Sequence, residues 1–256
     1  MSENSIEKSP QLFARLGGAL YLIIIALGLY GEMFIRDRAI TSGDAAVTAA
    51  NLRAMESLWR FGLASEFFLV TCSIVLAVIL FALLRPVNQY VASLAFSFNL
   101  VSLAVEAAND LNLLAALFPL GNASYLKALQ SEQLNAMTSL SLKLFGYGFG
   151  MALIFFAGAC VAYGYLIFKS GYMAKLVGVL MVIAGAGYFL NGFTMLLAPG
   201  AADRTSLAFL IPSFIGELSF CLWLLFKGVR LEQWIALGEP PVERSVVRHC
   251  FSALDV

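Results

Sequence analysis

Charge is scarce in this chain. Of 256 residues only 12% are Asp, Glu, Lys or Arg, and 61% are hydrophobic, whereas a water-soluble domain carries about 25% charged residues. So little polar surface cannot cover a globule of this size in water, which leaves lipid as the solvent over much of it. The charges also cancel to a formal net of zero, so the sequence lacks the basic footprint of a nucleic-acid partner. Histidine is nearly missing: the single one, His249, sits near the C-terminus, and one imidazole excludes a multi-histidine metal centre. Cys72, Cys160, Cys221 and Cys250 contain no C-x-x-C pair. The first three fall within apolar stretches and read as small packing residues. There is no G-x-S-x-G elbow, no Gly-Lys-Ser/Thr phosphate loop and no histidine pair, so the common hydrolase and nucleotide-binding chemistries find no residues here. Nothing calls for a cofactor or a metal, and no repeat is evident.

What is present is a series of long apolar runs: Leu12–Ile35, Leu58–Leu84, Tyr90–Phe118, Leu140–Phe168, Leu176–Ala198 and Leu207–Phe226. Each has the ~20 residues needed to cross ~30 Å of hydrocarbon. They are continuous rather than alternating, which predicts helices and excludes a barrel. The first is too long for a signal-peptide core and reads as an uncleaved span. The expected fold class is therefore all-α: a transmembrane bundle of six helices over residues 12–230, between an N-terminal tail (1–11) and a C-terminal tail (231–256). Gly17-Gly18, Gly146-x-Gly148-x-Gly150, Gly158 and Gly185-x-Gly187 predict close helix packing, because lipid supplies no hydrophobic drive between helices. In the first connection, Ser42 and Asp44 are candidate caps before Ala45–Glu56, which predicts a short helix on the membrane surface. Trp234 reads as an interfacial anchor, and the Lys and Arg of the short connections predict that both termini are cytoplasmic.

The informative residues are polar ones inside apolar runs. Glu32, Glu66, Glu106, Asp110, Lys143, Asn191 and Glu217 each carry an insertion cost of ~2.5–3.5 kcal/mol if charged at the bilayer centre, and so should face the bundle interior. Asn99, Ser102, Glu106, Asn109 and Asp110 recur at helical spacing and form one stripe. Most of these residues fall in the outer half of their spans. Together they predict an outward-opening polar pocket walled by spans two, three, four and six, built from Glu66, Asn99, Glu106, Asn109, Asp110, Lys143, Asn191 and Glu217. Glu66, Glu106 and Glu217 should converge there, with Lys143 beside Glu106 or Asp110. The acids outnumber the local bases, Arg60 and Lys143, so neutrality needs protons or a bound cation. The same residues could instead lock helices together through hydrogen bonds.

Several stretches resemble a bacterial membrane family catalogued as domain of unknown function 4386. They are Ala14-Arg15-Leu16-Gly17-Gly18-Ala19-Leu20-Tyr21-Leu22, Gly43-Asp44-Ala45-Ala46, Thr48-Ala49-Ala50-Asn51, Trp59-Arg60-Phe61-Gly62 and Leu84-Arg85-Pro86-Val87-Asn88, and the likeness extends to about Arg230. The resemblance implies a six-span inner-membrane protein and assigns no activity. Three function classes follow from the residues. Binding or permeation of a small solute, ion or lipid fits the pocket and its excess of acids, and makes the bilayer and a small solute, proton or cation the expected partners. A membrane-embedded enzyme would use Glu106 and Asp110 as acid and base. An accessory or assembly protein fits the lack of motifs. The first is favoured.

Overall fold

A computed structural model describes residues 9–238, and among these there is helix and turn but no strand. His249, Cys250 and the outer parts of both tails lie outside the described residues. Six helices are long and apolar enough to cross a membrane, as the apolar runs predict, and the protein is a multi-pass all-α membrane bundle.

The first span, α1 (Pro10–Ala39), is regular to Tyr30, then widens into a π turn at Gly31–Arg36 and closes with one α turn. The surface helix α2 (Ala45–Ala54) follows. Its cap is Asp44, whose Oδ1 accepts from the Ala46 and Val47 N–H groups at 3.0 and 2.9 Å, satisfying two of the unpaired donors at the helix start. The second span is α3 (Glu56–Leu84). The third is α4 (Gln89–Asn109), started by the Asn88 side chain and interrupted at Asp110 before a short α5 (Leu111–Ala115). The fourth, α6 (Ser131–Ser170), has 40 residues and begins well before Leu140, because Gln130 and Gln133 form a capping box there. At ~1.5 Å per residue it is ~60 Å long, about twice the hydrocarbon thickness. The fifth is α7 (Lys175–Leu197), and the sixth is α8 (Pro199–Leu222), continued by a π turn at Trp223–Lys227. A last helix, α9 (Leu231–Gly238), follows.

The spans form a ring in chain order: α1 packs on α3, α3 on α4, α4 on α6, α6 on α7, α7 on α8, and α8 back on α1. The tightest joint is α6 with α7. Gly178, Gly185 and Gly192 recur every seven residues on α7, and face Gly164, Ala157 and Gly150, spaced likewise on the antiparallel α6. A Cβ on Gly178 would lie 2.7 Å from the Gly164 carbonyl oxygen, on Gly185 2.7 Å from that of Ala157, and on Gly192 2.9 Å from that of Gly150. Backbone meets backbone along this seam, as small-residue interfaces in membranes permit.

The terminal end of the bundle, where α1 begins and α8 finishes, is tied by the Gln11 amide. Its Nε2 donates to the Lys227 carbonyl at 3.0 Å and its Oε1 accepts from Val229 N–H at 2.9 Å, across Gly228, which needs φ +64°. Trp234 does not face the lipid interface: it is 5% exposed, and its Nε1 donates to the Leu83 carbonyl at 2.9 Å. Tyr172 donates to the same oxygen at 2.7 Å. The buried acceptor outcompetes the interface because α9 folds back under α3. At the opposite, loop end a smaller core of Ile35, Leu52, Trp59, Leu113, Leu117 and Leu142 seats α2 and α5. Trp59 Nε1 donates there to the Leu113 carbonyl at 2.9 Å, and Thr138 to that of Ala116 at 3.1 Å.

Candidate polar site within the bundle

The π turn of α1 positions the strongest polar contact. Its wider path turns Arg36 inward, where Nε donates to Glu32 Oε2 at 2.6 Å and Nη1 donates to Glu66 Oε1 on α3. The Arg36 and Glu66 side chains are 13% and 11% exposed, and the guanidinium also lies over the Phe145 ring at 5.4 Å. Gly31 makes the room: a Cβ there would stand 2.8 Å from Glu66 Oε1. Beside the pair, among Gly31, Arg36, Trp59, Gly62, Glu66 and Leu113, is a cavity of about 10 Å³, the space of about one water. Glu106, near the end of α4, and Asp110, which caps it, stand within Coulombic reach of both Arg36 and Glu66. Asp110 is 1% exposed, and its Oδ2 has no protein hydrogen-bond partner among the described residues.

A second acid is held differently. Glu217 on α8 accepts from Tyr21 of α1 through Oε2 at 2.7 Å and from Tyr188 of α7 through Oε1. The two phenols are fixed by aromatic neighbours, Phe220 edge-on to Tyr21 and Phe156 tilted on Tyr188. Glu106 lies within Coulombic reach of Glu217 as well as of Glu66. Asn191 shares the helix face of Tyr188, one turn nearer the loop end. It is buried, its Oδ1 has no partner among the described residues, and its Nδ2 reaches only the Met195 sulfur at 3.8 Å.

The depths are ordered. Counted at ~1.5 Å per residue, Glu217 is ~15 Å from Lys227, Glu106 ~26 Å from Gln89, and Glu66 ~27 Å from Leu84. An acid at mid-depth is thus followed toward the loop end by Glu106, then by Glu66, Arg36 and Asp110. Glu106 is within Coulombic reach of both Glu66 and Glu217, and neither Glu106 nor Glu217 lines the small cavity beside Glu66. Spans one and five contribute Arg36, Tyr21, Tyr188 and Asn191 to the buried polar groups, beside those expected from spans two, three, four and six.

Two asparagines hold helices. Asn109 Nδ2 donates to the Phe145 carbonyl at 2.9 Å, and its Oδ1 accepts from Asn112 at 3.0 Å, against Gly148. Asn99 Nδ2 donates to the Tyr163 hydroxyl at 3.3 Å. Ser102 likewise ties α4 to the Ala152 carbonyl at 2.8 Å.

The expected pairing of Lys143 with Glu106 or Asp110 is absent: Lys143 is exposed and in no ion pair among the described residues. The cause is the length of α6. Lys143 lies ~40 Å along the helix from Ser170, and a 40-residue helix exceeds ~30 Å of hydrocarbon, so its length allows an exposed ammonium there without a buried partner. Arg60, the other expected base, pairs instead with Glu56 on the exposed face of α3 at 2.8 Å. The base that meets the buried acids is Arg36. Its signal in the sequence is the Glu32-x-x-x-Arg36 spacing, which places the pair on one helix face only if α1 continues past Ile35.

Residues 16–228 match the family described as domain of unknown function DUF4386. A protein from Archaeoglobus fulgidus, described only as uncharacterised, is 27% identical over 176 residues, covering 69% of this chain and 89% of that protein. No solved structure matches. With its match running from early in the first span to the end of the sixth, the chain belongs to the DUF4386 family.

Proposed function

We propose that the protein binds a small cation bearing N–H donors, taken up through the loop end into the polar interior, with permeation as its physiological outcome. One observation carries the reading: the three buried side-chain atoms without hydrogen-bond partners among the described residues, Asp110 Oδ2, Asn135 Oδ1 and Asn191 Oδ1, are all acceptors. Asp110 lies within Coulombic reach of Glu66 and of Arg36, and Arg36 is already committed to Glu32 and Glu66. A buried acceptor without a donor costs ~1–3 kcal/mol, more if charged, and a ligand rich in donors and positive charge removes that cost. An anion or an apolar solute would add to it. Methylammonium is the probe. Saturable binding of radiolabelled methylammonium to the protein in lipid nanodiscs is expected. Asp110→Asn combined with Glu106→Gln should weaken it at least ~10-fold, about 1.4 kcal/mol, within the range of one charge-assisted hydrogen bond. Tetramethylammonium, which has no N–H, should compete poorly. Absent binding, or binding indifferent to the double substitution, overturns the reading.

Access from the loop end also sets the orientation we infer, with the terminal end facing the cytoplasm, in accord with the Lys and Arg of the short connections. Reporter fusions at Val87 and Gly171 are expected to read cytoplasm, and those at Gly43, Gly121 and Ala201 the opposite side. A cytoplasmic reading at Gly121 inverts the arrangement.

A further inference from the structure

We propose that Glu217 is a proton-binding site at mid-depth, and that its tyrosine on the first span makes the seam between the first and last spans respond to that proton. The inference rests on the reading of an interior entered from the loop end, and gives its deepest group a ligand of its own.

Geometry carries it. Glu217 is the acid nearest the middle of the bundle, and both of its oxygens accept phenolic O–H groups, one from α1 and one from α7. That arrangement satisfies a carboxylate. Among the described residues, the titratable groups in Coulombic reach of it are Tyr21 on α1, Glu106 on α4, Cys160 on α6, Tyr188 on α7 and Cys221 on α8. None of them is cationic. No set of three His, Cys, Asp or Glu among the described residues is grouped to hold a metal ion. A lone carboxylate in hydrocarbon surroundings has one compact neutralising partner left, a proton. Glu106 offers the step toward the loop end, because it reaches the surroundings of Glu217 and those of Glu66 and Asp110 alike.

The chemistry balances simply. A hydronium at the loop end gives its proton up to the acids there, leaving water. The proton reaches Glu217 and forms an O–H bond on one carboxylate oxygen. That oxygen becomes a donor and a weaker acceptor, so the bond from the phenol that had donated to it weakens, and that phenol can turn to accept instead. Both phenols donate at full strength to the ionised form, and only one meets an unprotonated oxygen in the neutral form. If the phenol that turns is Tyr21, the change falls on the joint between α1 and α8. There Gly18 lies so close to Leu225 that a Cβ would meet the Leu225 Cα at 2.7 Å, and Cys221 Sγ donates to the Gly18 carbonyl at 3.4 Å.

Infrared difference spectroscopy of the full-length protein in lipid bilayers, over a pH titration, tests this. Expected is a protonated-carboxyl C=O band that titrates together with tyrosine bands and vanishes in Glu217→Gln. Tyr21→Phe and Tyr188→Phe each remove a hydroxyl while keeping the ring. Each should displace the titration midpoint by about one pH unit, a ~10-fold change in proton affinity, and they keep the test decisive if Glu217→Gln fails to fold. Three results overturn the proposal: a carboxyl band that survives Glu217→Gln, a midpoint unmoved in both phenylalanine variants, or a midpoint shifted by sodium at fixed pH, which would make the ligand a metal cation. Loss of methylammonium binding with an intact Glu217 titration removes the solute reading alone. A missing titration with intact binding removes this one alone.

Discussion

Replacing Arg36 with methionine is expected to cost about 3–5 kcal/mol of stability, the range for removing one partner of a buried ion pair. The guanidinium joins α1 to α3 through Glu66, holds Glu32 on its own helix and covers the Phe145 ring. Without it, Glu66 is left ionisable, largely buried and beside Glu106 and Asp110. Glu66→Met added to Arg36→Met should recover most of the loss, because an apolar pair leaves no orphaned charge. Lys143→Met, by contrast, should fall within about 0.5 kcal/mol of the parent, as for other exposed positions away from special features. Equilibrium unfolding in bilayer-like lipid measures the parent, these three variants and Glu66→Met alone, which closes the cycle. If the Arg36 and Glu66 effects simply add, the two side chains are not coupled and the contact is incidental.

Gly178→Ala and Gly185→Ala should each cost about 1–3 kcal/mol, the usual penalty for inserting volume where packing is complete. The atoms in the way at Gly178 are the Gly164 carbonyl oxygen and the Phe168 amide nitrogen, both 2.7 Å from the new Cβ. Neither can turn aside as a side chain would, so α6 and α7 must move apart along their length. Gly146 supplies the control. A Cβ there meets nothing within 4 Å, and alanine should gain up to ~1 kcal/mol through helix propensity. Thermal melting of the three variants decides it. Equal melting temperatures for Gly146→Ala and Gly178→Ala would mean that the α6–α7 seam yields more easily than its geometry implies.

The spans were legible because lipid leaves a simple record: hydrocarbon must be met by ~20 apolar residues in a row, and Arg85-Pro86 or Gly171 ends the run. Asp44 was legible for a local reason, since a cap acts on the two or three residues that follow it. What escaped depends on partners distant in the chain. Arg36 follows an apolar run and looks like the start of a loop; only the π turn, a property of the folded helix, carries it inward. Lys143 looked paired because the apolar run around it shows neither the full length of α6 nor the exposed face on which the side chain lies. Trp234 has the signature of an interfacial residue, and nothing near it announces the Leu83 carbonyl. The glycines at 178, 185 and 192 declare a repeat only beside positions 164, 157 and 150 of another span. Of the polar residues, the sequence identified Glu66, Glu106, Asp110, Asn191 and Glu217 as inward-facing. It could not say that Tyr21 and Tyr188 hold the last of these, because tyrosine in an apolar run is ordinary.

Many of the bonds that tie helix to helix end on a main-chain carbonyl: Trp59 on Leu113, Ser102 on Ala152, Asn109 on Phe145, Thr138 on Ala116, and both Tyr172 and Trp234 on Leu83. A carbonyl oxygen is supplied by every amino acid, so the accepting position is free to mutate without losing the bond. Evolutionary constraint then falls on the donor alone, and each contact exposes half the mutational target of a side-chain pair. A bundle joined this way can drift far in sequence, to the 27% identity seen with the Archaeoglobus fulgidus protein and beyond, while its helices keep their places. The exceptions are the contacts built from two side chains, Arg36 with Glu66, Asn99 with Tyr163, and Glu217 with its tyrosines. At those positions both partners must be inherited together, so a lineage that loses one is expected to lose or replace the other.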